Sequence, residues 1–79
     1  MSKTILVTGS TKGIGLAISR YLHSSNYQVI GIARNKPESM DYFNDVFVCD
    51  LLDPKETQNI FNKIKNKYHI DGIVNNVGY

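Results

Sequence analysis

Residues 4–15 decide the fold, and they read TILVTGSTKGIG. The first five form an apolar, β-rich run of the kind that is buried on both faces of a parallel sheet. The next seven contain three glycines, Gly9, Gly13 and Gly15. A helical pattern begins at the end of the glycine-rich segment. The sequence therefore predicts a strand, a glycine loop and a helix in direct succession.

Strand and helix patterns alternate along the rest of the chain. The first helix is predicted from apolar residues at helical spacing. These are Ile14, Ala17, Ile18, Tyr21 and Leu22. Three further strands are predicted at residues 27–33, 46–49 and 73–75, and a short helix is predicted at residues 38–43.

The helix before the last strand has a well-marked start. Asp53 is expected to cap it, Pro54 occupies the first helical position, and Glu56 is expected to close a capping box. Its apolar stripe is Thr57, Ile60, Phe61, Ile64 and Tyr68. Strands separated by helices predict parallel pairing with right-handed crossovers. We therefore predict an α/β fold: a Rossmann-like parallel sheet of order 3-2-1-4 with flanking helices, the truncated half of a doubly wound fold.

Composition narrows the class of protein. The 79 residues fit one small domain, and 42% hydrophobic with 20% charged residues is typical of a soluble globular chain. A net charge of +2 favours neither a nucleic-acid nor a membrane partner. No apolar run is long enough for a signal peptide or a membrane span. The single Cys49 excludes an internal disulfide and is expected to be a buried thiol, so a cytoplasmic location is the default expectation.

The glycine loop suits a bound diphosphate. Gly9 permits a sharp turn, Gly13 lets the backbone approach a ligand, and Gly15 lets the helix pack closely on the sheet. The helix N-terminus offers unpaired N–H groups and partial positive charge to an anion. The spacing G-x-x-x-G-x-G differs from the common dinucleotide pattern G-x-G-x-x-G. The alternative interpretation is a flexible turn whose glycines serve packing alone.

Four motifs resemble the short-chain dehydrogenase/reductase family, each directly after a strand. They are Thr8-Gly9-x-x-x-Gly13-Ile14-Gly15, Ala33-Arg34-Asn35, Asp50-Leu51 and Asn75-Asn76-Val77-Gly78. The resemblance covers the whole chain. It implies that residues 1–79 are the incomplete NAD(P)-binding Rossmann domain of an oxidoreductase that interconverts carbonyl and alcohol groups on a small-molecule substrate.

The resemblance also implies NADP, with NAD as the less favoured cofactor. In the family, an acidic residue after the second strand binds the ribose 2′-hydroxyl of NAD, and residues 32–35 contain none. Arg34 can instead meet a 2′-phosphate, and Lys12 matches a loop position where a basic residue does the same. One charge-assisted hydrogen bond would favour NADP by roughly ten- to a hundredfold. The alternative is that both are solvated surface charges.

Further cofactor contacts follow from the same resemblance. Asp50 is similar to the residue that contacts the adenine amino group, with Leu51 lining the adenine pocket; alternatively, Asp50 only supplies polarity at a helix entry. Asn75 and Asn76 resemble the pair that steadies the sheet and lines the cofactor cleft, and Val77 replaces the usual alanine. The expected cofactor-binding residues are Gly9, Ser10, Thr11, Lys12, Gly13, Ile14, Gly15, Arg34, Asp50, Leu51, Asn76, Val77 and Gly78.

The family's catalytic residues are not expected in this chain. They are a Tyr-x-x-x-Lys pair, a Ser and an Asn, all later than the asparagine motif, and no tyrosine here has a lysine four residues on. The chain alone is therefore expected to be inactive. No metal site is expected, since the two histidines lack ligand spacing.

Two other functions stay open. The chain could be a non-enzymatic nucleotide-binding or interaction module that joins a partner through its fourth strand. It could also resemble a sugar-nucleotide epimerase, although the glycine spacing disfavours this. The fourth strand is expected to be an exposed apolar edge through which the chain self-associates.

Overall fold

The computed structural model of the chain describes residues 2–10 and 13–76. The four strands and two helices follow the order that the sequence predicts, except that no helix separates β2 from β3. The elements are β1 (Thr4–Thr8), α1 (Gly13–Ser24), β2 (Gln28–Ala33), β3 (Asp45–Val48), α2 (Pro54–Lys67) and β4 (Gly72–Val74). Neither of the helices in this part of the chain has the length and apolar character needed to cross a membrane.

The four strands form one parallel sheet of order β3-β2-β1-β4, which confirms the predicted topology. Strand β1 lies between β2 and β4, with Leu6 level with Ile30 on one side and Ile73 on the other. The chain moves outward from β1 to β3 and then returns to β4. Helices α1 and α2 pack on opposite faces of the sheet, as expected when crossovers of the same hand run in opposite directions.

Each face of the sheet has its own apolar core. Leu6, Ile30 and Ile64 are buried on the α2 face, while Val7 and Val29 are buried on the α1 face. Neighbouring strand residues point to opposite faces, so a strand covered on both sides needs apolar residues without interruption. This requirement explains why residues 4–8 form an apolar, β-rich run.

Cys49 is a buried thiol, as predicted. It is 1% exposed, within the α2-face core. Burial raises the pKa of this thiol, and the negative charge of Glu56 raises it further. The thiol therefore stays protonated and unreactive at neutral pH.

The face of α1 that packs on the sheet differs from the predicted stripe. Ile14 and Tyr21 are 71% and 70% exposed, whereas the small residues Gly15 and Ser19 are buried. Leu22 is half-buried beside them. The prediction was wrong for Ile14, Ala17 and Tyr21, which are all exposed. Apolar periodicity does not show which face packs closely, whereas close contact between a helix and a sheet selects the small residues Gly15 and Ser19.

Residues 38–43 do not form the predicted short helix. They follow an irregular path, in which Phe43 N–H donates to the Met40 carbonyl at 3.0 Å. Phe43 is buried in the α1-face core, and the next residue, Asn44, accepts a hydrogen bond from Val29 N–H at 2.9 Å. Burial of Phe43 therefore anchors this segment to the sheet as a loop.

Asp53 caps α2 as predicted, but the capping box does not close. The Asp53 carboxylate accepts from the backbone N–H groups of Lys55 at 3.0 Å and Glu56 at 3.2 Å. Glu56 Oε1 accepts from Asp50 N–H at 3.3 Å instead of from Asp53. The reason is local: Asp53 N–H is already satisfied by the Asp50 carbonyl at 3.0 Å.

Asp45 ties the start of β3 to the end of α2. Its Oδ2 accepts from the Tyr68 hydroxyl at 2.7 Å and from Lys67 Nζ at 3.1 Å, while Oδ1 accepts from Val46 N–H at 3.0 Å. Partial burial pushes the pKa of Asp45 upward, but the hydrogen bonds from Tyr68 and Lys67 outweigh it, and the pKa is lowered. The ionised carboxylate is thus the form that the fold stabilises.

We predict that the stabilisation from Asp45 disappears in acid. Because its folded-state pKa is lowered, the stabilisation is present above the ordinary pKa of 3.8 and is lost as the pH falls through the folded-state value. Asp45→Asn should cost about 0.5–1.5 kcal/mol at pH 7 and clearly less at pH 2. Urea unfolding followed by circular dichroism at both pH values measures this. An equal loss at both would contradict it.

Candidate functional site

The predicted site residues meet at one edge of the sheet. Gly9 follows β1, Arg34 follows β2 and Asn75 follows β4, and parallel strands end at the same edge. The chain leaves β1 toward β2 on one side and returns to β4 on the other, so the strand order reverses beside β1. Open parallel sheets bind ligands at such a point.

Three residues of two distant motifs form one packed contact beside β1. Gly9 has φ +63°, and a Cβ there would lie 3.1 Å from the Asn76 carbonyl oxygen. A Cβ on Gly15 would overlap the Gly9 carbonyl oxygen and lie 2.7 Å from Asn76 Nδ2. Glycine at position 15 lets the start of α1 approach Gly9 this closely, and glycine at position 9 allows the positive φ beside Asn76. The glycine loop is therefore shaped by packing at these two positions.

Gly13 differs from the other two glycines. Its φ is +53°, and no atom of the residues that the structure describes lies within 4 Å of a Cβ built on it. Glycine is needed here for the backbone conformation, because side chains rarely adopt this region. The open space lies at the N-terminus of α1, whose first turn contains no acidic residue. This end of the helix fits an anion, since unpaired N–H groups and the helix dipole both favour negative charge.

Thr8 fixes the asparagine motif to the end of β1. Its hydroxyl oxygen accepts from Asn76 N–H at 2.9 Å and donates to Asn75 Oδ1 at 3.1 Å. Thr8 is 4% exposed, so these bonds form away from water. Sequence reasoning assigned Thr8 no role of its own. The available signal was a hydroxyl residue at the end of an otherwise apolar strand.

Ser10 and Ile14 occupy opposite environments within the loop. Ser10 is fully buried, and both its N–H and its hydroxyl lie 3.4 Å from the Ile32 carbonyl oxygen. Its side chain therefore supports the loop from the protein side. Ile14 lies exposed in the first turn of α1. The direct cofactor contacts predicted for both residues stay predictions.

The remaining described candidates also lie at this edge. Arg34 is exposed directly after β2. Asp50 is exposed after β3, and its Oδ1 accepts from Leu52 N–H at 3.0 Å. Leu51 is half-buried against the α2-face core. The other predicted cofactor-binding residues lie outside the described residues: Thr11, Lys12, Val77 and Gly78.

The fold and this site define a class of protein. A parallel sheet with a glycine turn at the first helix, opening at the point where strand order reverses, is the architecture of a Rossmann-type domain. Residues 3–79 match the family model described as short chain dehydrogenase. The chain belongs to the short-chain dehydrogenase family.

Known relatives agree with this assignment. The 3-oxoacyl-(acyl-carrier-protein) reductase FabG of Haemophilus influenzae is 39% identical over 96% of this chain and 34% of its own length. The ligand-free aldohexose dehydrogenase of Thermoplasma acidophilum has a TM-score of 0.87 at 31% identity, covering 98% of this chain and 30% of that one. The chain spans about a third of the length of the curated relatives it matches.

Two solved neighbours carry a nicotinamide cofactor. A 4-hydroxyisoleucine dehydrogenase complexed with NADH has a TM-score of 0.86 at 26% identity, covering 99% of this chain and 35% of that one. An ElxO variant with NADPH bound has a TM-score of 0.82 at 27% identity, covering 100% of this chain and 36% of that one. The two neighbours use different cofactors.

We predict that alanine at Gly15 disrupts the packing beside β1. The new Cβ meets the backbone of Gly9, which cannot yield without moving α1, so Gly15→Ala should cost about 1–3 kcal/mol or more. Gly72→Ala is the matched control, because its Cβ would lie 3.1 Å from the flexible end of Ile5. Urea denaturation of both variants compares them. Similar losses of unfolding free energy in the two variants would show that the fold tolerates a Cβ at Gly15 as well as it does at Gly72.

Proposed function

We propose that this chain binds NADP(H) at the carboxyl edge of the sheet, as the cofactor-binding portion of a short-chain oxidoreductase that interconverts carbonyl and alcohol groups. The supporting observation is the packed contact of Gly9, Gly15 and Asn76, beside which the N-terminus of α1 stays open at Gly13. Neighbours at 26% and 27% identity that carry NADH or NADPH support a nicotinamide dinucleotide as the ligand.

Each part of the site has a role in this proposal. Backbone N–H groups of the first turn of α1, Ile14 among them, bind the diphosphate. Asn76, held by Thr8, lines the ribose side of the crevice. Asp50 accepts from the adenine amino group, and Leu51 packs against the base. The nicotinamide, when bound, supplies or accepts the hydride.

NADP is proposed over NAD because the residue that follows β2 is a positively charged arginine. Arg34 is exposed there, and no carboxylate occupies residues 32–35 to bind a ribose 2′-hydroxyl. A guanidinium offers several N–H donors to a phosphate, and such charge-assisted bonds are strong. Lys12, in the glycine loop, is proposed to contribute a second positive charge.

The whole reaction is a proposal that reaches beyond this chain. Residues 1–79 are proposed to be one incomplete dinucleotide-binding domain, which needs the remaining two thirds of its relatives' length to hold a substrate. The chain alone should therefore bind cofactor without oxidising it. A cytoplasmic location is also proposed, since a reducing compartment suits the free thiol of Cys49.

NADPH titrated into the folded chain tests the proposal directly. Binding should release or absorb measurable heat and should raise the melting temperature, since a ligand that binds only the folded state stabilises it. Absence of both effects at millimolar NADPH would refute the proposal. Inorganic diphosphate should compete with NADPH, because the two share the N-terminus of α1.

Arg34 provides a test of cofactor choice. Arg34→Ala should weaken NADPH binding by about ten- to a hundredfold and leave NADH binding unchanged, because only NADPH has the 2′-phosphate. Lys36→Ala is the matched control: it removes the same charge from an exposed residue in the same loop. Isothermal titration with both cofactors measures the change. An equal loss of affinity for NADPH and NADH would show that Arg34 does not discriminate between the two cofactors.

We also propose that the chain self-associates through β4. This strand lies at an edge of the described sheet, and Ile73 on it is 62% exposed. Exposed strand edges and apolar side chains favour association. Ile73→Thr should shift the sedimentation profile toward monomer, whereas Tyr21→Ser, which removes an equally exposed ring from α1, should not. A wild-type chain that is monomeric at high concentration would contradict this.

A further inference from the structure

The proposed function gives no role to Glu56, an acidic residue that bonds to the segment after β3. Glu56 lies in the first turn of α2, but its carboxylate does not close the helix cap. Asp53 takes that role, accepting from the N–H groups of Lys55 and Glu56. Glu56 Oε1 reaches past the cap to Asp50 N–H, at 3.3 Å. The side chain therefore connects the helix to the residue that follows β3.

Asp50 is the first residue after β3 whose backbone N–H bonds to a side chain instead of to the neighbouring strand. Cys49 N–H still donates across to β2 at 2.9 Å, and beyond it Asp50 N–H meets Glu56. The Asp50 carbonyl accepts from Asp53 N–H at 3.0 Å, and its Oδ1 accepts from Leu52 N–H at 3.0 Å. Three hydrogen bonds thus set the orientation of this one residue.

The arrangement leaves one carboxylate oxygen of the exposed Asp50 without a hydrogen bond to the described part of the chain. Oδ2 of Asp50 makes no hydrogen bond to any of the residues that the structure describes, and the side chain is exposed. A carboxylate can only accept hydrogen bonds, and the exocyclic amino group of adenine can only donate them. Such a bond weakens steeply when its angle is poor, so the orientation of Asp50 decides its strength.

We propose that Glu56 is a positioning residue for adenine recognition, which acts by holding the Asp50 backbone so that Oδ2 faces the adenine amino group. This rests on the proposed function, which gives Asp50 the adenine contact. Glu56 itself touches no cofactor. Loss of its bond to Asp50 N–H leaves two of the three hydrogen bonds, so the peptide is held less firmly and Oδ2 loses alignment with the adenine amino group, while the diphosphate site at α1 is unaffected.

A hypoxanthine analogue of NADPH separates adenine recognition from binding in general. Hypoxanthine has a carbonyl oxygen in place of the amino group, so this position cannot donate to Asp50 Oδ2 and instead repels its charge. The wild-type chain should bind NADPH about ten- to a hundredfold more tightly than the analogue. Calorimetric titration with the two ligands gives this ratio for each variant.

Three variants distinguish positioning from folding. Glu56→Asp keeps the charge but is one methylene too short to reach Asp50, so the ratio should fall at least about fivefold. Glu56→Gln keeps the reach and an accepting Oε1, so the ratio should stay near the wild-type value. Asp53→Ala removes the helix cap and lowers the melting temperature, but it leaves the Glu56 contact in place and should preserve the ratio.

Each other outcome overturns the inference. A wild-type ratio in Glu56→Asp shows that Glu56 does not position Asp50. An equal fall in Asp53→Ala shows that Glu56 acts only through helix stability. A wild-type chain that binds both ligands equally retains its diphosphate site but has no adenine contact to position. A wild-type chain that binds neither ligand refutes the proposed function, and this inference with it.

Hydrogen exchange tests the underlying contact without any ligand. The Asp50 amide should exchange faster in Glu56→Asp than in the wild type, and at the wild-type rate in Glu56→Gln. Amides in the middle of β1, such as Leu6, provide the internal reference for global stability. Unchanged Asp50 exchange in Glu56→Asp would show that the carboxylate does not hold this N–H.

Discussion

The close approach of Gly15 to the Gly9 carbonyl is the contact on which the rest of the site depends. It sets how near the N-terminus of α1 comes to the end of β1, and a single Cβ on Gly15 would prevent it. Asn76 closes the same contact from the side of β4, with its amide against Gly15 and its backbone held by Thr8. Residues more than sixty positions apart thereby determine one backbone geometry.

The close packing at Gly9 and Gly15 has a consequence for the neighbouring residues of the loop. A Cβ on Gly9 or Gly15 would contact a neighbouring residue, whereas no described residue lies within 4 Å of a Cβ on Gly13. The N–H and hydroxyl of Ser10 both point to the Ile32 carbonyl oxygen. Among the described residues of the loop, Ser10 therefore buries its polar side chain, while Gly13 at the start of α1 has none. A surface of backbone N–H groups binds an anion without the entropy loss of ordering flexible side chains.

The two ends of the sheet are closed in different ways. At the amino end, side chains satisfy the backbone: Asp71 Oδ2 accepts from Thr4 N–H at 2.8 Å, and Asn44 Oδ1 accepts from Val29 N–H at 2.9 Å. Asp45 adds its contacts with the end of α2. At the carboxyl end, Thr8 accepts from Asn76 N–H and Glu56 accepts from Asp50 N–H. The carboxyl end is thus closed by contacts that involve the segments following the strands.

By itself, the sequence determined the strand order, the position of the glycine turn and the start of α2, because these follow from local patterns of apolar spacing, glycine and caps. It failed where contacts are long-range. The buried face of α1 is decided by Gly15 and Ser19 against the sheet, and residues 38–43 follow the burial of Phe43 instead of a helical preference. The bonds from Thr8 to Asn76 and from Glu56 to Asp50 depend on side-chain geometry that only tertiary packing creates.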